Sequence, residues 1–206
     1  MLSKFFQPVG RVHQKFNQYM FWSFTSNIIS STQYVLSTHS MLCTIGHDNN
    51  EFNMSYNYIV KDIIGQVGGL YYINKTCTKY DKDINKYTKE TLIIQQISLY
   101  LECITPFVPN NTFLLIAGFA NIGKNVTATG LGATNAKIIQ TLAIDNNIGE
   151  IYAKINVLNT LGSSIGMIIG LGITHYIPDH GTRLCMLPLL STLRYWTFVH
   201  SIRNIC

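Results

Sequence analysis

Charge is what this sequence has least of. Asp, Glu, Lys and Arg make up 12% of its 206 residues, about half of the ~25% usual in a soluble domain. Three long stretches carry none of them: between Lys15 and Asp48, between Glu102 and Lys124, and between Lys154 and Asp179. A helix needs ~20 apolar residues to cross a hydrocarbon core, so each gap is long enough for one pass. The last one, NVLNTLGSSIGMIIGLGITHYI, is apolar or small nearly throughout. Ser, Thr, Asn and Gln interrupt the first, and Pro106 and Pro109 delay the second span to about Thr112.

Other absences exclude whole chemistries. The 5 cysteines stand at 43, 77, 103, 185 and 206 with no C-x-x-C pair, which excludes a disulfide framework and a zinc knuckle. The 6 histidines are scattered and form no H-E-x-x-H, so the reading is reduced thiols, no metal and no cofactor. No Ser-His-Asp arrangement, G-x-S-x-G elbow or dinucleotide fingerprint occurs, and the chain is expected not to be an enzyme. Its net charge of +5 is not gathered into a basic stripe. Five lysines in NKTCTKYDKDINKYTKET, residues 74 to 91, alternate with three acids, unlike a nucleic-acid surface. That segment reads as a polar loop, with lipid headgroups as its other possible neighbour. Alternation of polar and apolar residues never persists, which argues against strands.

What is present is helical pattern. One domain over 1 to 206 is expected, with helices over 18–45, 54–73, 88–104, 112–132, 134–147, 150–177 and 184–202. The prolines of PFVP end the third, because proline removes a donor and restrains the residue before it. Gly162, Gly166 and Gly170 recur every fourth residue, as do Gly65 and Gly69, with Gly68 beside them. Glycine at that spacing lets membrane helices approach closely. The fold class is therefore all-α, a multi-span helical membrane bundle with glycine-rich helix contacts. The first residues, MLSKFFQPVGRVHQKF, lack acids as a presequence does, but are read as part of the mature chain. They and the 74–91 loop are both net positive, which puts two passes between them if both face the same side.

The rare charges are the candidate functional residues. Lys61, Asp62, Glu102, Lys124, Glu150, Lys154 and Arg194 stand in apolar surroundings, where an ionisable group marks a substrate path, a proton relay or a partner site. Lys61 and Asp62 are neighbours, so on a helix they point ~100° apart and are expected to have different partners. Glu150 and Lys154 fit an i,i+4 pair. GFANIGKN, residues 118 to 125, matches G-x-x-x-x-G-K, but Asn125 stands where Ser or Thr would hold magnesium. A nucleotide-binding enzyme is the remote alternative.

The same residues, in order, resemble the root UV-B-sensitive family. The resemblance runs from QPVG at 7 to 10 through YMFWSF at 19 to 24. KDIIGQVGG at 61 to 69 resembles Lys-Asp-Gly-x-Gly-x-Leu-Gly-Arg, and LECITPFVP at 101 to 109 resembles Leu-Glu-x-x-x-Pro-x-x-Pro. Asn121 and Lys124 fit Asn-x-x-Lys, ATNA at 133 to 136 resembles Ala-Thr-Arg-Ala, and NNIGEIYAK at 146 to 154 resembles Asn-x-x-Asp-Val-x-Ala-Lys. The chain departs from the pattern at Ser23, Gly69 and Asn135, where the family has Asp, Arg and Arg. Members tend to be longer, so a divergent or shortened copy is expected. The resemblance implies a membrane-associated protein linked to UV-B responses and vitamin B6 homoeostasis, acting with other family members, some in plastids. We expect a non-catalytic scaffold or regulatory protein, integral to a plastid, mitochondrial or endomembrane bilayer. Its partners would be membrane lipid and homologous chains, with no nucleic acid. The alternative is a carrier for a small molecule such as a B6 vitamer. The expected site is a polar network of Lys61, Asp62, Glu102, Asn121, Lys124, Glu150 and Lys154.

Overall fold

A computed structural model describes residues 7–45, 51–80 and 82–203; the first six residues of the presequence-like segment, and Cys206, lie outside that description. Among the described residues the chain forms six α-helices and one short 3-10 turn: α1 Phe16–Ile45, α2 Glu51–Tyr80, α3 Ile84–Ile104, the turn Thr105–Phe107, α4 Asn110–Leu142, α5 Ile148–Tyr176 and α6 His180–Ile202. An isolated antiparallel bridge joins Val12 to Ala143. The all-α class holds.

Local chemistry sets the boundaries. Asp83 caps α3 by accepting from Lys86 N at 3.0 Å, and Asp179 caps α6 by accepting from Thr182 N at 2.6 Å and Thr182 Oγ1 at 2.7 Å. Such caps satisfy donors that the first helical turn leaves open. Pro106 lies within the turn that ends α3, and Pro109 precedes α4.

Two expected boundaries are corrected. The polar segment 74–91 is not a loop: α2 continues to Tyr80 and α3 begins at Ile84. Tyr80 is buried, and its hydroxyl shares a 2.8 Å hydrogen bond with Thr91 Oγ1, which clamps a tight helical hairpin. Thr88 Oγ1 and Thr134 Oγ1, 2.7 Å apart, tie the same region to α4. The helices expected over 112–132 and 134–147 are one, α4, which runs unbroken to Leu142. Alanine and threonine at 133–136 carry no break, and Gly130 packs against Tyr80 and Thr91 rather than turning the chain.

The helices run up and down, and α1 with α5, and α2 with α4, point the same way. Gly162, Gly166 and Gly170 meet Phe24, Ile28 and Val35 in rising order, and Gly65, Gly68 and Gly69 meet Asn121, Ile122 and Asn125. A β-carbon at Gly68 would stand 2.5 Å from Ile122 Cγ1, and one at Gly69 2.7 Å from Asn125 Cβ. These approaches exist because glycine is there. Antiparallel α6 lies along α1, with Trp22 against Trp196 at 5.0 Å between ring centroids and Gln33 Nε2 donating to Ser191 Oγ at 3.1 Å.

Apolar cores close the two ends. Phe16, Tyr19, Ile138, Leu142, Ile151 and Phe198 pack at one, and Met41, Ile45, Phe113 and Ala117 at the other. A third apolar cluster of Leu36, Cys103 and Leu187 is accompanied by many polar side chains, with Ser26, Ser30, Gln33, Ser37, Gln95, Ser98, Glu102 and Arg194 all buried. By length and composition one helix among the described residues, Ile148–Tyr176, is apolar enough to cross a bilayer. The hydroxyl and amide side chains of the other helices keep them below that mark.

Candidate functional site

Three helices bring charges together near the middle of the bundle. Glu102 projects from the last turn of α3 and is 1% exposed; Lys124 of α4 donates to its Oε2 in an ion pair. Lys124 also lies over the Tyr34 ring of α1, 5.0 Å from its centroid, a placement in which the ring face attracts the cation. Lys61 of α2 is close enough to Lys124 for the two charges to repel.

Lys61 and Asp62 were expected to have different partners. Instead Lys61 Nζ donates to Asp62 Oδ1 at 2.7 Å. Burial is the reason: Lys61 is 4% exposed, and its long side chain curls back to the carboxylate at the rim. The Tyr58 ring lies 4.5 Å from the same ammonium. Asn121 Nδ2 of α4 completes the group, donating to Asp62 Oδ1 at 3.0 Å and to the Lys61 carbonyl at 3.2 Å. Asn121 reaches that carbonyl because Gly65 leaves the space: a β-carbon there would collide with the Asn121 amide.

Five of the seven expected network residues therefore meet: Lys61, Asp62, Glu102, Asn121 and Lys124. Glu150 and Lys154 do not join them. At 1.5 Å per residue, α4 climbs ~30 Å between Asn121 and Leu142, and α5 starts beyond that end. There Glu150 Oε1 accepts from the Val9 backbone at 2.8 Å. The neighbouring Asp145 accepts from Arg11 N at 2.9 Å and from Arg11 Nε at 3.2 Å. Those bonds, the backbone one first, hold its carboxyl below the ordinary aspartate range. Asp179 is held low in the same way, by the hydroxyl and then the backbone N–H of Thr182.

Sequence reasoning missed two clusters. Arg183, 1% exposed, shares hydrogen bonds with His39 Nδ1 at 2.7 Å and His180 Nδ1 at 3.0 Å, and donates to the Pro178 carbonyl at 2.8 Å. The second is an amide relay in which Gln33 Nε2 and Ser191 Oγ donate to Gln96 Oε1 at 2.8 and 2.7 Å, and Gln95 Nε2 donates to Tyr34 OH at 3.3 Å. Polar spacing along α1 was the available signal, since Ser23, Ser26, Ser30, Gln33 and Ser37 recur at three- and four-residue steps. The segment Gly118 to Asn125 lies wholly inside α4, where backbone donors serve the helix and form no phosphate-binding loop.

Fold and site together define an all-helical bundle with a charged seam in its interior and glycine-faced helix pairs. The family model for the vitamin B6 photo-protection and homoeostasis domain matches residues 1–206, and the chain belongs to that family. It is 25% identical to Protein root UVB sensitive 4 of Arabidopsis thaliana, over 98% of this chain and 40% of that protein. RUS family member 1 of Dictyostelium discoideum is 22% identical over 100% of this chain and 39% of its own length. Protein root UVB sensitive 2, chloroplastic, of Arabidopsis thaliana is 25% identical over 99% and 48%. The chain thus spans less than half the length of these relatives. No solved structure matches it.

Proposed function

We propose that the chain is an integral membrane protein that serves vitamin B6 homoeostasis as a non-catalytic scaffold or regulator, assembled with other members of its family. The observation that carries this reading is an inverted distribution of polarity. Arg183, Glu102, Gln33 and a row of serines are buried, while Leu70 is 71% exposed and Ile168 70%, with Ile63, Val67, Leu115, Phe119 and Leu171 also outside. In water such a surface would be a liability; in lipid it is the solvent-matched face, and polar groups gather inside. The glycine-faced helix pairs suit a bilayer, where close packing replaces hydrophobic drive. One relative, Protein root UVB sensitive 2, is named as chloroplastic, which makes the plastid the first compartment to examine.

Alkaline carbonate extraction of membranes bearing the tagged chain tests the reading. Retention in the pellet is the expected result, and release into the supernatant would overturn it. Gentle solubilisation is then expected to recover a homologous chain with it; recovery of the chain alone would remove the scaffold role.

A second reading rests on the seam itself. Charges from α2, α3 and α4 beside Tyr34 of α1 lie where a carrier would hold its cargo. Reconstituted vesicles would then take up a B6 vitamer such as pyridoxal phosphate, and Lys124→Met would abolish uptake. Vesicles that accumulate none of the vitamers would dispose of the carrier.

A further inference from the structure

Arg194 is a buried charge that no acid among the described residues pairs with. It is 4% exposed, its Nε and Nη1 have no hydrogen-bond partner among the described residues, and none of the ion pairs among those residues includes it. The Phe198 ring lies 5.1 Å from the guanidinium carbon. A guanidinium cannot shed its proton to escape this, and a buried cation without a counter-charge is costly.

A second polar atom without a hydrogen-bond partner lies at its level. Antiparallel α1 and α6 place Trp22 beside Trp196 and Gln33 beside Ser191, so Ser26 stands at the level of Arg194. Ser26 is 0% exposed, and its Oγ also lacks a protein partner. The Tyr34 and Tyr19 side chains lie within electrostatic reach of the guanidinium. Guanidinium, serine hydroxyl and the Tyr34 phenol are donors suited to an oxyanion.

On the Tyr19 side this cluster adjoins a groove. Tyr19 OH donates to Asn135 Oδ1 at 3.4 Å, and Ser23 Oγ donates to Asn159 Oδ1 at 3.0 Å. Asn135 and Asn159 line a groove of about 470 Å3 between α4 and α5, together with Asn156, Tyr152, Ile139 and Ile155. That volume falls within the range of small-molecule sites, ~300–1,000 Å3. Its walls are apolar, and its asparagines offer both donors and acceptors. Tyr19, bonded to Asn135 and within electrostatic reach of Arg194, stands between this groove and the charge inside.

We propose that Arg194 and Ser26 bind the anionic group, carboxylate or phosphate, of a small molecule whose body occupies the groove between α4 and α5. The site shares Tyr34 with the Lys61–Lys124 seam but does not depend on membrane insertion, so its failure would leave the carbonate result untouched.

The test is thermal unfolding of the purified full chain in detergent, at constant ionic strength, as chloride is replaced by inorganic phosphate or by acetate. The wild type is expected to melt higher with at least one of them, and the better anion identifies the group. Arg194→Gln should lose the response. Ser26→Ala should keep the basal melting temperature and bind the anion roughly tenfold more weakly, the value of one charge-assisted hydrogen bond. Phosphate also stabilises proteins by exclusion from their surface, which would raise wild type and Arg194→Gln alike. Equal responses in those two proteins, or none in the wild type, would overturn the proposal. If Arg194→Gln does not fold, an unchanged response in Ser26→Ala has the same force. Phenyl phosphate should bind more tightly than inorganic phosphate, and Asn156→Trp, at the exposed lip of the groove, should erase only that gain. Equal binding of the two phosphates would exclude the groove.

Discussion

Lys124 and Glu102 show what a buried pair costs when it is split. The Glu102 side chain is 1% exposed and that of Lys124 16%. Lys124→Met would leave a carboxylate in the interior without its cation, and should lower stability by about 3 kcal/mol, the low end for such a break because the lysine is not fully buried. Adding Glu102→Gln should recover most of that loss, since neither group then needs the other. Unfolding of both proteins in detergent checks this, and equal losses in single and double variants would mean that the pair is not the energetic unit. Asp145 gives a pH prediction of definite sign. Its folded pKa is depressed by Arg11, so its contribution is fully present above the ordinary aspartate value of ~3.9 and disappears as pH falls through the lower folded value. Asp145→Ala should therefore melt below the wild type at neutral pH, and the gap should close on acidification below the ordinary range. A gap of constant size would show that the contact with Arg11 is not ionic.

Helix pairing turns on a few glycines, and they are not equivalent. A β-carbon at Gly166 would strike the Ile28 carbonyl and lie 2.9 Å from Ser31 Cβ, whereas one at Gly172 would meet nothing within 4 Å. Gly166→Ala should separate α1 from α5 and destabilise by roughly 1–3 kcal/mol, the usual cost of overpacking. Gly172→Ala has room and should stabilise by up to ~1 kcal/mol through helix propensity. Parallel melting curves distinguish them, and similar effects from both would contradict the close α1–α5 contact. Spacing made Gly162, Gly166 and Gly170 legible as one face. It could not say that the partner is α1, nor that the two helices run parallel, because nothing in a local repeat encodes the distant segment it meets. The pairing of α2 with α3 was illegible for a related reason: lysine and asparagine suggest a loop, while the Tyr80 to Thr91 bond joins residues on different elements.

At the scale of the molecule, six alternating helices place Cys77 near one end of the bundle and Cys185 near the other, both exposed. In sealed vesicles of one orientation, with the other cysteines replaced, a membrane-impermeant maleimide should label one of these two positions from outside and the other only after permeabilisation. Labelling of both from one side would be incompatible with an odd number of passes between them.

The sequence by itself determined the helical class, the family, the scarcity of charge and the residue types at Lys61, Asp62, Glu102, Asn121 and Lys124, because periodicity and motif order are properties of short, contiguous stretches. Tertiary structure alone decided that Lys61 turns to its own neighbour, that Glu150 and Lys154 lie at the far end, and that Arg194 is buried with no acid paired to it among the described residues. Each of those outcomes depends on which side chains the packing removes from solvent, and burial is settled by contacts between segments tens of residues apart.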